Sequence, residues 1–472
     1  MNSIVVTDTA YFITGIVSDS VFPYKVGSIF FRTDLKGNIQ IARAFIDSPN
    51  QYETWFQSLT LGKDNKLITN GYNFNNIDSN LFIIKYDLNG NVVKLTSGFA
   101  ILGNFEIPYP MLQLHDGFIL SVLSQDVNSG NTSNYNLKLN NDGYTIWKKK
   151  INFNNPKSAV IRMTENTSGF LLGAWGSPAS MTKNGLNQTV IIQFDSLGNQ
   201  MWEYKSPVNE DWAGTIGGLE MSDDGDIVYA SGKGTIMNPL EVSDYFTWDW
   251  CITKLGFDKK IKWRTYFKQP RRDIDENGRR LWNMLKLKDK GGYISVGTTV
   301  TDKSYGWLVK VSEAGDSIWS RTYNLEDDST AFYEIRQAKE DKDGNLIMVG
   351  ERINYEPDLY SQQGWMMKLD KYGCLVPGCH LVGTKDVEYF DINVNVYPNP
   401  ASDYIAFYID DISSEFHYTI ISSDGKTMKS GKNIKSEETA IINTQEWPSG
   451  IYHLTISKKD GQQTTKKIII QH

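Results

Sequence analysis

The five histidines of this 472-residue chain are too scattered to act together. His417, His453 and His472 lie near the C-terminus, His380 follows a cysteine, and only His115 falls in the body, inside the turn-like LHDGF. A Ser–His–Asp relay or a histidine-rich metal set needs side chains converging from several elements. No catalytic residue, metal or cofactor is therefore assigned. DLNGN (87–91) and DKDGN (341–345) open like calcium loops but lack the glutamate that closes one, and turn chemistry accounts for them. Carboxylates alone can cleave glycosides, and Glu210, Asp211, Asp273, Asp275, Glu276 and Glu334 lie near segments that lead into strands. The same segments carry Trp55, Tyr109, Trp212, Trp282 and Tyr333, with Trp248 beside a longer loop and Arg279 and Arg280 next to Trp282. Aromatic rings among polar groups stack on sugars or peptides, or they plug the middle of a ring of sheets. These eight residues are the ligand-face candidates. Cys374 and Cys379 flank a Pro-Gly turn in GCLVPGCH and are either a disulfide or two free thiols. One nearby histidine does not make a zinc site.

Those residues sit in a repeat. FFRTDLKGN, IIKYDLNGN, NLKLNNDGYTIW, IIQFDSLGNQMW, ITKLGFDKKIKW, LVKVSEAGDSIW and MMKLDKYGC are copies of one pattern: a strand, a polar turn and often a tryptophan. Gly37, Gly90, Gly143, Gly198, Gly315 and Gly373 mark six of the turns, and Lys260 lies near the equivalent place in the other copy. Upstream of each pattern lie two apolar strands joined by a Gly/Asp turn. Each copy thus reads as a four-stranded antiparallel meander, and seven such units arranged radially make a β-propeller. The units are 1–50, 51–104, 105–155, 156–207, 208–270, 271–327 and 328–383. The last lacks a clear fourth strand. Trp147, Trp202, Trp263 and Trp319 share one repeat position and are expected to pack between units. Arg32, Lys85, Lys138, Gln193, Lys254, Lys310 and Lys368 share another, as solvated or locally paired side chains.

The net charge of -7 gives no basic footprint for nucleic acid. No run of about 18 apolar residues is present to span a bilayer.

After Gly383 the repeat stops. Residues 384–392 read as a linker, and 393–472 as short alternating strands of a small immunoglobulin-like β-sandwich. Here VYPNPASDYIAFYI, SSDGK, EWPSGIYHLTIS and the terminal KKIIIQ occur in order. This segment resembles the type A C-terminal sorting domain of the type IX secretion system of Bacteroidetes. The motif positions are Pro398, Asn399, Pro400, Pro448, Gly450, Tyr452, Lys466 and Lys467. The resemblance implies export to the cell surface or medium, handling by the type IX machinery, and removal of the domain by cleavage within 383–396.

The expectation is an all-β protein: a seven-bladed β-propeller (1–383) followed by a sorting sandwich. Its leading function is a non-enzymatic binding or adhesion module for a polysaccharide or a host or surface protein. A secreted glycoside hydrolase or lyase using carboxylates is the rival. The opening MNSIVVTDTAYFITG has no signal-peptide pattern. A start upstream of Met1, supplying both a signal peptide and the missing outer strand, is one expectation; the other is that GCLVPGCHLVG supplies that strand.

Overall fold

The computed structural model describes residues 1–18, 26–45, 53–74, 79–97, 104–126, 132–153, 158–176, 188–207, 216–236, 246–267, 279–288, 290–300, 304–323, 331–354, 361–375, 393–410, 416–423, 425–434, 439–458 and 463–472. Among them every regular element is a β-strand. The chain divides into two compact units, Met1–Cys379 and His380–His472.

In the first unit the strands form seven antiparallel sheets in chain order, six of four strands and a last one of three. The first strands of the sheets are Ser3–Val6, Glu53–Leu61, Asn104–Leu114, Ser158–Asn166, Ile216–Met221, Arg279–Lys286 and Ala331–Glu340. Each packs against the first strand of the next sheet, and Ala331–Glu340 packs against Ser3–Val6. The result is a propeller-like cycle. Apolar residues of the middle strands fill the space between sheets, as with Val228, Ile252, Trp250, Trp307 and Val309.

The repeat residues make the joints. Trp147, Trp263 and Trp319 lie directly across from Lys138, Lys254 and Lys310 on the third strands. Their rings cover the turn glycine of the following sheet. A Cβ on Gly198 would come within 2.5 Å of Trp147, and one on Gly315 within 2.5 Å of Trp263. Those turns hold φ at +79° and +92°, where a side chain is already strained. Glycine is thus needed twice over, for the turn and for the ring above it. The fifth sheet departs from this pattern. Its turn has Lys259 at φ 64° rather than glycine. Trp202 instead donates its indole N–H to Phe257 O at 3.0 Å and meets the Phe257 ring edge-on.

At four of the shared positions the lysine is paired within its own sheet. Lys85 reaches Asp64 at 2.7 Å, Lys254 reaches Asp224 at 2.7 Å and Lys368 reaches Asp341 at 3.1 Å, while Lys138 pairs with Asp116. In each case a third strand is tied to the first hairpin of its own sheet. Asp87 and Asp341 accept main-chain N–H groups two and four residues on, so the calcium-like turns are closed on themselves.

The second unit has two sheets. One orders Asn393–Tyr397, Tyr404–Asp410 and Ala440–Asn443; the other orders Thr427–Ile434, Phe416–Ser422, Gly450–Lys458 and Gln463–Ile470. Ile405, Phe407, Ile420, Leu454 and Ile468 share one buried core between them.

Candidate functional site

Six of the seven first strands slip register by one residue at corresponding places. Such a bulge turns one side chain out of the strand's alternation and re-aims it. The residues left out of the pairing are Gln57, the Tyr109–Pro110 pair, Ile161, Gly217, Trp282 and Arg336. They fall where the first strands come together. At Gly217 the approach is close, since a Cβ there would lie 2.0 Å from Leu281 O.

A charged cluster gathers around two of these bulges. Arg336 sits over the Trp282 ring at 4.8 Å, and Arg280 lies 5.6 Å from the same ring. Trp282 is half-buried and Arg280 exposed. Guanidinium groups over an indole gain from the ring quadrupole. Arg336 also pairs with Glu334 at 2.5 Å and with Glu351 through Nε at 2.7 Å. Those two carboxyls stand directly opposite each other on neighbouring strands, and both are buried. Gln362 donates to Glu351 as well. Like charges so placed repel, and the pair resolves this by dividing roles. Burial, with Glu351 alongside, pushes Glu334 up to about 7. Glu351 is held below its ordinary value: burial works against this, while Arg336 and the Gln362 hydrogen bond more than offset it.

Arg162, one residue past its bulge, donates to Gly217 O at 3.1 Å, and burial together with Arg336 lowers it to about 10. Glu220 is likewise pushed up to about 7 by burial, against the pull of Lys339 and Lys286.

The arrangement holds one acid near neutrality beside one carboxylate. Both, however, are closed on a single guanidinium, whereas glycoside cleavage needs two carboxyls facing a sugar across about 5 to 10 Å.

Of the ligand-face candidates, Trp282 and Arg280 meet in this cluster. Tyr109 stands at the third sheet's bulge, half-buried, its hydroxyl pushed up to about 12 by burial. Tyr333 is 1% exposed, so its ring is not on an accessible face. Trp212 and the side chains of Trp55, Trp248 and Arg279 lie outside the described residues, as do Glu210, Asp211, Asp273, Asp275 and Glu276. Cys251 is free and buried; Cys374 is buried and not free, and Cys379 lies outside the described residues. The residue types did not point to Arg336 or Glu351; an arginine interrupting the alternation of AFYEIRQAKE was the available signal.

The second unit brings its motif residues to one rim. Asn399 Nδ2 donates to Lys467 O at 2.9 Å, and Ile469 N donates to Asn399 Oδ1 at 2.8 Å. Tyr452 donates its hydroxyl to Pro448 O at 2.7 Å and packs on Trp447. Pro398, Pro400, Gly450, Lys466 and Lys467 are exposed around them.

The repeat body is followed by a separate small module, and that module is an address. The address is specific: residues 395–471 match the secretion system C-terminal sorting domain. The protein is secreted or placed on the cell surface by the type IX system, whose machinery handles this tail. No helix of the described residues is long and apolar enough to cross a membrane.

No curated protein matches the chain. Among solved structures, it is similar to the polysaccharide lyase Uly1, at 10% identity and a TM-score of 0.48, over 78% of this chain and 90% of that one. A puromycin hydrolase matches at 10% identity and TM-score 0.39, over 75% of this chain and 58% of its own. The acylaminoacyl peptidase of Pyrococcus horikoshii matches at 12% identity and TM-score 0.40, over 87% of this chain and 59% of its own. At these TM-scores none of the three bears on what this chain binds or turns over.

Proposed function

We propose that residues 1–383 are a seven-bladed β-propeller and residues 393–472 an immunoglobulin-like sorting sandwich, joined by 384–392. A Cys374–Cys379 disulfide closes the exit turn. The propeller is a binding module that the type IX system delivers to the exterior, where it captures a polysaccharide or a host or surface protein. The observation that carries this reading is the half-buried Trp282 with guanidinium groups of Arg280 and Arg336 over it. An aromatic ring accompanied by guanidinium donors suits recognition of sugar or peptide. Trp55, Tyr109, Trp212, Trp248 and Arg279 are further contact candidates.

The test is a glycan and protein binding screen of the full chain, run beside a hydrolysis and lyase assay. Capture without turnover is expected, with Trp282→Ala weakening it by about tenfold, in line with stacking worth 1 to 2 kcal/mol. The rival, a carbohydrate-active enzyme, would draw its acid from Glu334, and the Glu334–Glu351 pair would first have to open from Arg336. Turnover that disappears in Glu334→Gln would replace the binding reading with that one.

A further inference from the structure

The terminal strand Gln463–Ile470 pairs with Gly450–Lys458 on one side. Its other side has main-chain groups that need partners, as every sheet edge does. The segment lying there is Pro398–Asn399–Pro400, and proline has no N–H to contribute. The Asn399 carboxamide fills the place of a peptide group. It carries one carbonyl and an N–H donor in a plane, and it uses both: Nδ2 donates to Lys467 O at 2.9 Å, and Oδ1 accepts from Ile469 N at 2.8 Å. Main-chain pairing resumes two residues later. Ala401 N donates to Ile469 O at 2.9 Å, and Gln471 N donates to Ala401 O at 2.8 Å, as a parallel bridge between Ala401 and Ile470.

The chain end is then tied to the third motif. His472 N donates to Ser449 Oγ at 3.1 Å, and the His472 ring contacts Trp447 O at 2.8 Å through Nε2. Thr444, held by Asp403 O through its own N–H at 2.8 Å, accepts from Trp447 N at 2.9 Å. Three segments far apart in sequence, 398–403, 444–452 and 466–472, are laced into one rim.

We propose that Asn399 is a positioning residue for export. Its amide stands in for a peptide group on the terminal strand, and that docking assembles the rim that the type IX machinery engages. The partner's surface therefore fits a folded, composite rim on which Pro398, Pro400, Lys466 and Lys467 are all exposed, the two lysines on opposite faces of the terminal strand. It does not read a linear tail. Alanine removes both hydrogen bonds of Asn399. Aspartate keeps the acceptor for Ile469 N–H but sets an oxygen against the Lys467 carbonyl.

The test uses the full chain behind an inner-membrane signal peptide, in a host carrying the type IX machinery. Cell fractionation measures the exported share, and hydrogen exchange on the purified chain measures the Ile469 amide. Asn399→Ala is expected to speed that exchange by about tenfold, the size of a lost hydrogen bond, and to cut export by at least about tenfold. Asn399→Asp falls between it and wild type in both. Ile420→Val loosens the core of the same module without touching the rim, and its export stays at the wild-type level. Wild-type export of Asn399→Ala overturns the proposal. So does loss of export in Ile420→Val matching that of Asn399→Ala, since export would then follow stability alone.

Discussion

In the repeat body, the residues that recur join each sheet to the next. Trp147, Trp263 and Trp319 cover glycine turns one sheet on, and Lys85, Lys254 and Lys368 tie third strands to first hairpins. In the C-terminal module the signature residues Asn399, Pro448, Tyr452 and Lys467 occur once each and meet on one rim. Repetition in the body marks framework, because seven sheets face the same packing problem seven times. Whatever is particular to the body must then lie where the repeat is broken. The bulges that carry Trp282 and Arg336 recur along the first strands but these residue types do not, and Glu334 and Glu351 are found with them.

The comparison can be broken at either end. Deletion of 391–472 should abolish export and leave the body folded in the periplasm, as read by fractionation and protease resistance. Normal surface delivery of the truncated chain would mean that the address lies elsewhere. Next in size is Arg336→Met, which leaves two buried carboxyls opposed without their guanidinium. Breaking such a buried network costs about 3 to 5 kcal/mol, measured as a lower denaturation midpoint of the full chain. An unchanged midpoint would show that the cluster is solvated and does not hold the seventh sheet.

The framework half of the comparison is sharpened by two glycines. Gly315 and Gly225 both hold positive φ, at +92° and +84°. A Cβ on Gly315 meets Trp263 at 2.5 Å, while one on Gly225 meets nothing within 4 Å. Gly225→Ala should therefore cost only the conformational strain of about 1 kcal/mol. Gly315→Ala should cost about 2 to 3 kcal/mol, strain plus displacement of the ring. Equal losses would remove the joint from the account of Trp263.

The strands, their turns and the joint residues were legible because each copy repeats the same hydrophobic alternation and the same turn glycine. The lysine position was legible too, since a basic residue across from a hairpin aspartate needs only local geometry. The cluster was not. Glu334 was visible as an acidic residue near the start of a strand, but Glu351 becomes its partner only once the register is set. That register depends on a bulge at Arg336 that no residue type announces. Tyr333 failed as an exposed candidate for a related reason: it and Glu334 are adjacent, so they point to opposite faces, and only the fold decides which face is closed. In the tail the motif was plain, while the role of Asn399 was hidden because its partner Lys467 lies 68 residues away.

The smallest expected effect concerns protons on the opposed carboxyls. Glu334 is pushed up to about 7 by burial and by Glu351, whereas in the unfolded chain it titrates as an ordinary glutamate near 4.3. Between those values the folded protein holds a proton that the unfolded chain has released. Stability then falls as pH rises. The chain carries 55 Asp and Glu, so the raw pH profile reports many groups at once and only a difference isolates this one. Glu334→Gln stays neutral at every pH and keeps the shape of the protonated acid. Below about pH 4 the variant and the wild type should differ by a constant. From about pH 4.5 to 7 the variant should gain on the wild type by about 1 kcal/mol or more, then run parallel to it above. Differential unfolding of the two proteins at pH 4, 6 and 8 reads this directly. A constant difference across all three would mean that Glu334 is ionised throughout, with Arg336 neutralising both carboxylates. The cluster would then be a fixed ion pair with no acid to lend to any chemistry. A gain of the expected sign would leave one protonated carboxyl held by Arg336, the residue that lies over Trp282.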